Sequence, residues 1–267
     1  MKKITIKTAK FLTTVSLCCL LSGAPVWAAV IDNAAQAMRL ATEQRILTQQ
    51  LLKSYVLSGL GVRSRKADQA IQNAIGQFEA NNTALLSYVT DNATRTQLTQ
   101  LVQHWQQTKP KYQVKPDKSQ LLNLFSLNEQ LLQQSEQLVL SLQQSDGSKT
   151  GPMIDLAGRQ GMLSVRLVAL YGMMAWGYEA QAKTGYQAVY SGFSETSEAL
   201  QKVPDNTALI NHSLKDLQRQ LQRIRITAES SSDTYIPGLI DRSVVKMLKK
   251  VSELQDEYQV LARTLDD

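Results

Sequence analysis

The sequence predicts an all-α protein of about eight helices arranged as two tandem four-helix units, and three observations carry that reading. Leucines with Val102 are spaced for one helix face across residues 94–107, and leucines repeat that spacing across 121–142. Alternating strand-type runs are hard to find, and glutamine, leucine, alanine and serine dominate over six prolines and 6% aromatic residues. The chain also matches itself. Residues 41–51 (Ala-Thr-Glu-Gln-Arg-Ile-Leu-Thr-Gln-Gln-Leu) align with 157–167 (Ala-Gly-Arg-Gln-Gly-Met-Leu-Ser-Val-Arg-Leu) at an offset of 116 that also carries Tyr55 onto Tyr171. Phe78 then aligns with Phe193 at 115, and Asp91-Asn92 with Asp205-Asn206 at 114. A slowly drifting offset is what a duplication with small loop deletions leaves.

Taken in order, the chain opens on Lys2, Lys3, Lys7 and Lys10, then an apolar stretch over 11–24, then Val26-Trp27-Ala28. This is the pattern of an export signal, residues 1–28, cut after Ala28, and it implies a periplasmic protein. A retained N-terminal anchor is the alternative, although the stretch is short of the roughly 20 residues a span requires. Both cysteines, Cys18 and Cys19, fall inside it, so the remaining 239 residues offer no disulfide, thiol nucleophile or thiolate metal site. The four lysines also account for most of the +6 formal charge and leave +2, too little for a nucleic-acid footprint. No later segment is apolar enough to span a bilayer.

The first unit, residues 29–146, reads as helices near 32–60, 65–88, 93–108 and 118–143. A turn-rich linker, 147–152, separates it from the second unit, 153–267, with helices near 153–176, 180–201, 206–229 and 235–264. Asp91 or Asn92, and Asp205 or Asn206, are the N-cap candidates of the two third helices. Pro110, Pro116 and Pro237 sit near the connections between third and fourth helices, where proline costs little. Four amphipathic helices of this length can bury their apolar stripes as a bundle.

The segment Ala157-Gly158-Arg159-Gln160-Gly161-Met162-Leu163-Ser164-Val165-Arg166-Leu167, with Tyr171, resembles the signature helix of the PilJ/NarX-like sensor domains. These are the periplasmic helical domains of nitrate/nitrite-sensing histidine kinases and of type IV pilus chemotaxis transducers. The family pattern runs roughly Ala-Gly-Arg-Gln-Arg-Met-Leu-Ser-Gln-Arg. The second copy departs from it at Gly161 and Val165. The first has Thr42, Glu43 and Gln50 where the pattern has Gly, Arg and Arg, but keeps Gln44, Arg45, Leu47, Gln49 and Tyr55. The resemblance implies signal transduction, and in nitrate-sensing members an anion held where two first helices meet, by the arginine at the motif's fifth position. That position is Arg45 in one copy and Gly161 in the other.

The residues themselves support a seam there. Ala34, Met38, Ala41, Arg45, Thr48, Leu52 and Tyr55 alternate by four and three, as do Ala157, Gly161, Ser164, Val168 and Tyr171. A guanidinium in such a seam requires an anion, a carboxylate or carbonyls around it. If the two seams pack together, Arg45 faces Gly161 across a pseudo-twofold axis. Gln44, Thr48, Gln160 and Ser164 are then neutral donors to a small nitrate- or nitrite-like anion, with Arg159 or Arg166 as a second charge. Arg45→Ala is then expected to weaken anion binding without destabilising the empty protein. The alternative is that Arg45 pairs with an acidic side chain of its own bundle, and that Arg159 and Arg166, seven apart, form a salt-bridged face.

Chemistry of other kinds finds no motif. His104 and His212 are isolated, no Gly-x-Ser-x-Gly elbow occurs, and the glycines of 147–151 belong to a linker. No catalytic residue, metal or cofactor is implied. Two functions are expected. One is a periplasmic sensor or ligand-binding protein that relays its state to a membrane sensor or transporter partner. The other is a ligand-free helical adaptor of an envelope, pilus or secretion complex.

Overall fold

The computed structural model describes residues 31–146, 151–230 and 234–266; the expected export segment and residues 147–150 of the expected linker lie outside them. The all-α expectation holds. Among the described residues there are eight α-helices and no strand: α1 (Ala34–Gly59), α2 (Ser64–Tyr88), α3 (Asn92–Tyr112), α4 (Leu121–Asp146), α5 (Gly151–Ala175), α6 (Glu179–Gln201), α7 (Ala208–Glu229) and α8 (Pro237–Asp266). A 3₁₀ turn, Lys118–Gln120, precedes α4. None of these helices is long and apolar enough to cross a membrane.

Capping and proline chemistry place the ends. Asn33 caps α1 by accepting from the Gln36 N–H at 2.9 Å, and Asp91 caps α3 by accepting from the Thr94 N–H at 2.8 Å. The hydrogen bonds from the first turn hold the Asp91 carboxyl below its ordinary range. In the second half the cap is Thr207, which accepts from the Ile210 N–H at 3.2 Å, and neither Asp205 nor Asn206 fills that role. Asn206 is drawn elsewhere. Its amide donates to the Leu200 carbonyl at 2.6 Å and its oxygen accepts from the Tyr258 hydroxyl at 3.0 Å, tying the end of α6 to α8. Helix α3 runs four residues past its expected end, through Pro110, because Tyr112 is anchored in the core. Pro152 and Pro237 stand in the first turns of α5 and α8, where a missing N–H costs nothing. The α1–α2 turn is set by Gly61 and Arg63, both in the left-handed region at φ 73° and 52°.

The two halves pack by the same rule. Helix α1 lies against α2 and α4, and α3 against α2 and α4; α5 lies against α6 and α8, and α7 against α6 and α8. The most extensive contact of all joins the halves, α1 on α5. One continuous core therefore runs through both, from Met38, Leu52 and Trp105 to Val168, Phe193 and Tyr258.

Glycines set the register of that joint. A Cβ added to Gly158 would stand 2.6 Å from the Thr42 Cβ, and one added to Gly172 would stand 2.7 Å from Val56 Cγ1. Both pairs keep the offset of 116, so α1 and α5 run parallel and in register, two heptads apart at these contacts. At the far end the sizes reverse: Gly59 makes room for Trp176, whose ring would stand 2.0 Å from an added Cβ.

Candidate functional site

The motif residues lie at this α1–α5 joint and divide into two groups. Gln44 points away from α5 to α2, where its amide donates to the Phe78 carbonyl at 3.1 Å and to Asn82 Oδ1 at 2.5 Å. Gln160 does the same to α6, donating to Ser197 Oγ at 2.7 Å. Asn82 and Ser197 are 115 apart, the offset that relates Phe78 to Phe193. Thr48 and Ser164 close onto their own helix, donating to the Arg45 carbonyl at 2.8 Å and the Gln160 carbonyl at 2.7 Å. The two motif tyrosines are also matched. Tyr55 OH accepts from the Asp117 N–H at 2.8 Å and Tyr171 OH from the Ile236 N–H at 3.2 Å, each at the entry to its fourth helix.

The arginines form the second group, and each meets a carboxylate. Arg45 is fully buried. Its Nη2 donates to Asp155 Oδ1 at 2.5 Å and to the Asp155 carbonyl at 3.2 Å, and its Nη1 donates to Glu136 Oε2 at 3.2 Å. Arg159 donates to the same Glu136 oxygen at 3.1 Å. Arg166 forks onto both oxygens of Glu129, at 2.5 and 2.7 Å, and reaches Gln49 Oε1 at 3.2 Å. Glu129 and Glu136 are seven apart on α4, and Arg159 and Arg166 are seven apart on α5, so two antiparallel helices present matched pairs two turns long.

Arg45 does not face Gly161. An added Cβ at Gly161 would meet Ile46 Cδ1 at 2.8 Å and Val251 Cγ1 at 3.1 Å, on the side of α5 that looks toward α8. An in-register parallel pair explains this: equivalent positions point to opposite sides of the joint unless they lie on the axis itself. The axis passes by Thr42–Gly158 and Val56–Gly172, and position 45 lies off it. Arg45 thus enters the space between α4 and α5, whereas the opposite space, among α1, α2 and α8, holds a groove of about 290 Å³ bordered by Ile46, Val251 and Glu43. Burial raises the Glu43 carboxyl above its ordinary range; Asn81 donates to it at 3.2 Å.

Sequence reasoning missed Glu129, Glu136 and Asp155. The heptad spacing shared by the carboxylates and the arginines was the available signal. It also missed the buried Asn128, which accepts from Gln49 at 3.1 Å and donates to the Thr48 carbonyl at 2.8 Å and the Tyr112 hydroxyl at 2.7 Å. A lone asparagine among leucines carries no such message. Among the described residues no cluster of three or more His, Cys, Asp or Glu is placed to hold a metal ion.

No family model matches this chain, and no curated protein and no solved structure matches it either.

Proposed function

We propose that this chain is a non-catalytic helical adaptor of the cell envelope, with two sensor-like units paired inside one polypeptide and a structural arginine seam. One observation carries the reading: each arginine that the motif would offer to an anion already has a carboxylate of the protein. Arg45 has Asp155 and Glu136, Arg159 shares Glu136, and Arg166 has Glu129. Three guanidinium groups against three carboxylates leave a neutral cluster, with no excess charge to draw a nitrate- or nitrite-like ion out of water. The repeated packing rule and the in-register α1–α5 joint support the tandem reading, and the lysine-led N-terminal segment supports export. The partner on this reading is a membrane sensor, a transporter or an envelope assembly.

A thermal-shift panel tests it. Nitrate, nitrite, phosphate and sulfate, each set against chloride at equal ionic strength, should leave the melting point of the exported chain unchanged. A saturable rise that Arg45→Ala abolishes would overturn the adaptor reading, because a ligand of the native state must raise the midpoint. That result would favour the sensor reading, which has one observation on its side. Arg45 Nε and Arg159 Nε, on the two arginines that share Glu136, are buried donors without a protein acceptor.

A further inference from the structure

Three tyrosines outside the seam, Tyr186, Tyr190 and Tyr235, gather with the seam's Tyr171 where α5 ends, α6 begins and the chain returns toward α8. Tyr235 meets Tyr171 edge-on, with centroids 5.3 Å apart and planes at 71°. Tyr186 and Tyr190 form a second edge-on pair at 5.5 Å and 84°, and Tyr171 and Tyr186, 5.9 Å apart, join the two corners. Together they line a cavity of about 760 Å³. The corresponding corner of the first half also holds rings, with Tyr55 6.1 Å from Tyr112 and 6.3 Å from Trp176, but of these only Tyr112 lines the adjoining cleft.

The geometry selects a class of ligand. Rings at right angles make corners, and corners suit a compact charge touched by several faces rather than a flat ring, which wants one open face. The faces of neutral phenols are electron-rich, and burial pushes the hydroxyls of Tyr186, Tyr190 and Tyr235 up, so these rings stay neutral. One face already holds a cation: the Arg225 guanidinium lies 5.5 Å from the Tyr190 centroid. It is tied to Glu229 at 2.8 Å, as Lys183 is to Glu179 at 3.1 Å, so each cation at the rim is matched by a carboxylate. With the rim charges paired one to one, the electron-rich ring faces decide the sign: they repel an anion and attract a cation.

We propose that this pocket binds a small organic cation, an amine or quaternary ammonium of about choline's size. The faces of Tyr171, Tyr186 and Tyr235 would enclose the charge, and the paired rim of Lys183–Glu179 and Arg225–Glu229 would add no net charge of either sign. The site is separate from the arginine seam, and the inference stands or falls independently of the adaptor reading. Isothermal titration of the full exported chain with choline chloride tests it, with dimethylbutanol, its uncharged carbon isostere, and sodium nitrate as parallel titrants. Choline should give saturable heat, the uncharged isostere should bind at least about tenfold more weakly, and nitrate should give none. Tyr186→Leu and Tyr235→Leu should each weaken choline about five- to tenfold, while Tyr186→Phe, which keeps the ring, should not. Tyr235 is 42% exposed and outside the helices, so its variant stays informative even if Tyr186→Leu fails to fold. Absence of saturable choline binding, equal binding of the isostere, or an unchanged Tyr235→Leu titration would overturn the proposal.

Discussion

Arg45 shows how much one buried charge depends on its neighbours. Its guanidinium is fully buried while the side chains of Asp155 and Glu136 remain 15% and 24% exposed, so the positive end of the cluster is the dry end. Arg45→Ala should therefore destabilise the protein by roughly 3 kcal/mol, because Asp155 is left beside Glu136 without its main counter-charge. This reverses the expectation for an arginine awaiting an anion. The double variant Arg45→Met with Asp155→Asn should recover most of the loss, since Glu136 keeps Arg159. Urea denaturation of the three proteins checks both statements. Glu43 gives a pH test with a definite sign. Its carboxyl is raised by burial above the ordinary 4.5, so below that pH both folded and unfolded chains hold the proton and nothing is lost. As pH rises the unfolded chain ionises first, and the Glu43 contribution turns against the fold until the folded value is passed. The stability advantage of Glu43→Gln over the wild type should accordingly grow as pH rises from about 4 toward 7. A gap that is constant or shrinks over this window would contradict it.

At the scale of elements, the joint of α1 and α5 is a pairing of unequal surfaces. Gly158 and Gly172 on α5 receive Thr42 and Val56 of α1, and Gly59 on α1 receives Trp176. Two copies of α1 would set Val56 against Val56 at a spacing that requires a glycine, and two copies of α5 would leave a void. The pair is thus selective for α1 with α5. Gly172→Val should cost about 1–3 kcal/mol by overpacking against Val56, and Val56→Gly a comparable amount through a cavity and lost helix propensity. Combining them exchanges the two sizes across the same contact. The double variant should be more stable than the sum of the singles by about 0.5–3 kcal/mol, measured as a double-mutant cycle. Strict additivity would show that the two positions do not meet.

For the whole molecule, the consequence is one body rather than two beads. Helices α1–α4 and α5–α8 form the two halves, with α5 starting at Gly151 inside the expected linker rather than after it, and α1 and α5 are each buried by the other half as well as by their own. Leu51 and Val56 on one side, and Val165 and Leu167 on the other, belong to a single core. Scanning calorimetry should show one transition with calorimetric and van't Hoff enthalpies in agreement, and two resolved transitions would contradict the shared core.

Helical periodicity was enough, in the sequence, for the all-α class and the eight helices to within a few residues, and the offset of 116 picked out α1 and α5, the two helices that form the most extensive contact. These are properties of spacing along the chain, and a helix converts spacing directly into a face. The same offset recurs where α1 meets α5, at Thr42–Gly158 and Val56–Gly172. What spacing does not encode is which side of the joint an off-axis residue enters. Arg45 and Gly161 occupy equivalent positions yet look into different spaces, one walled by α4 and one by α8. Glu129 and Glu136 meet Arg166 and Arg159 only when α4 is laid antiparallel to α5, and Asp155 meets Arg45 only when α5 is laid along α1, arrangements set by the burial of apolar stripes from all eight helices. The tyrosine corner likewise joins residues from α5, α6 and the approach to α8, 64 positions apart at the extremes. Local pattern determined the elements; the packing of distant faces, driven by apolar burial that has no direction along the chain, decided which charges and rings would meet.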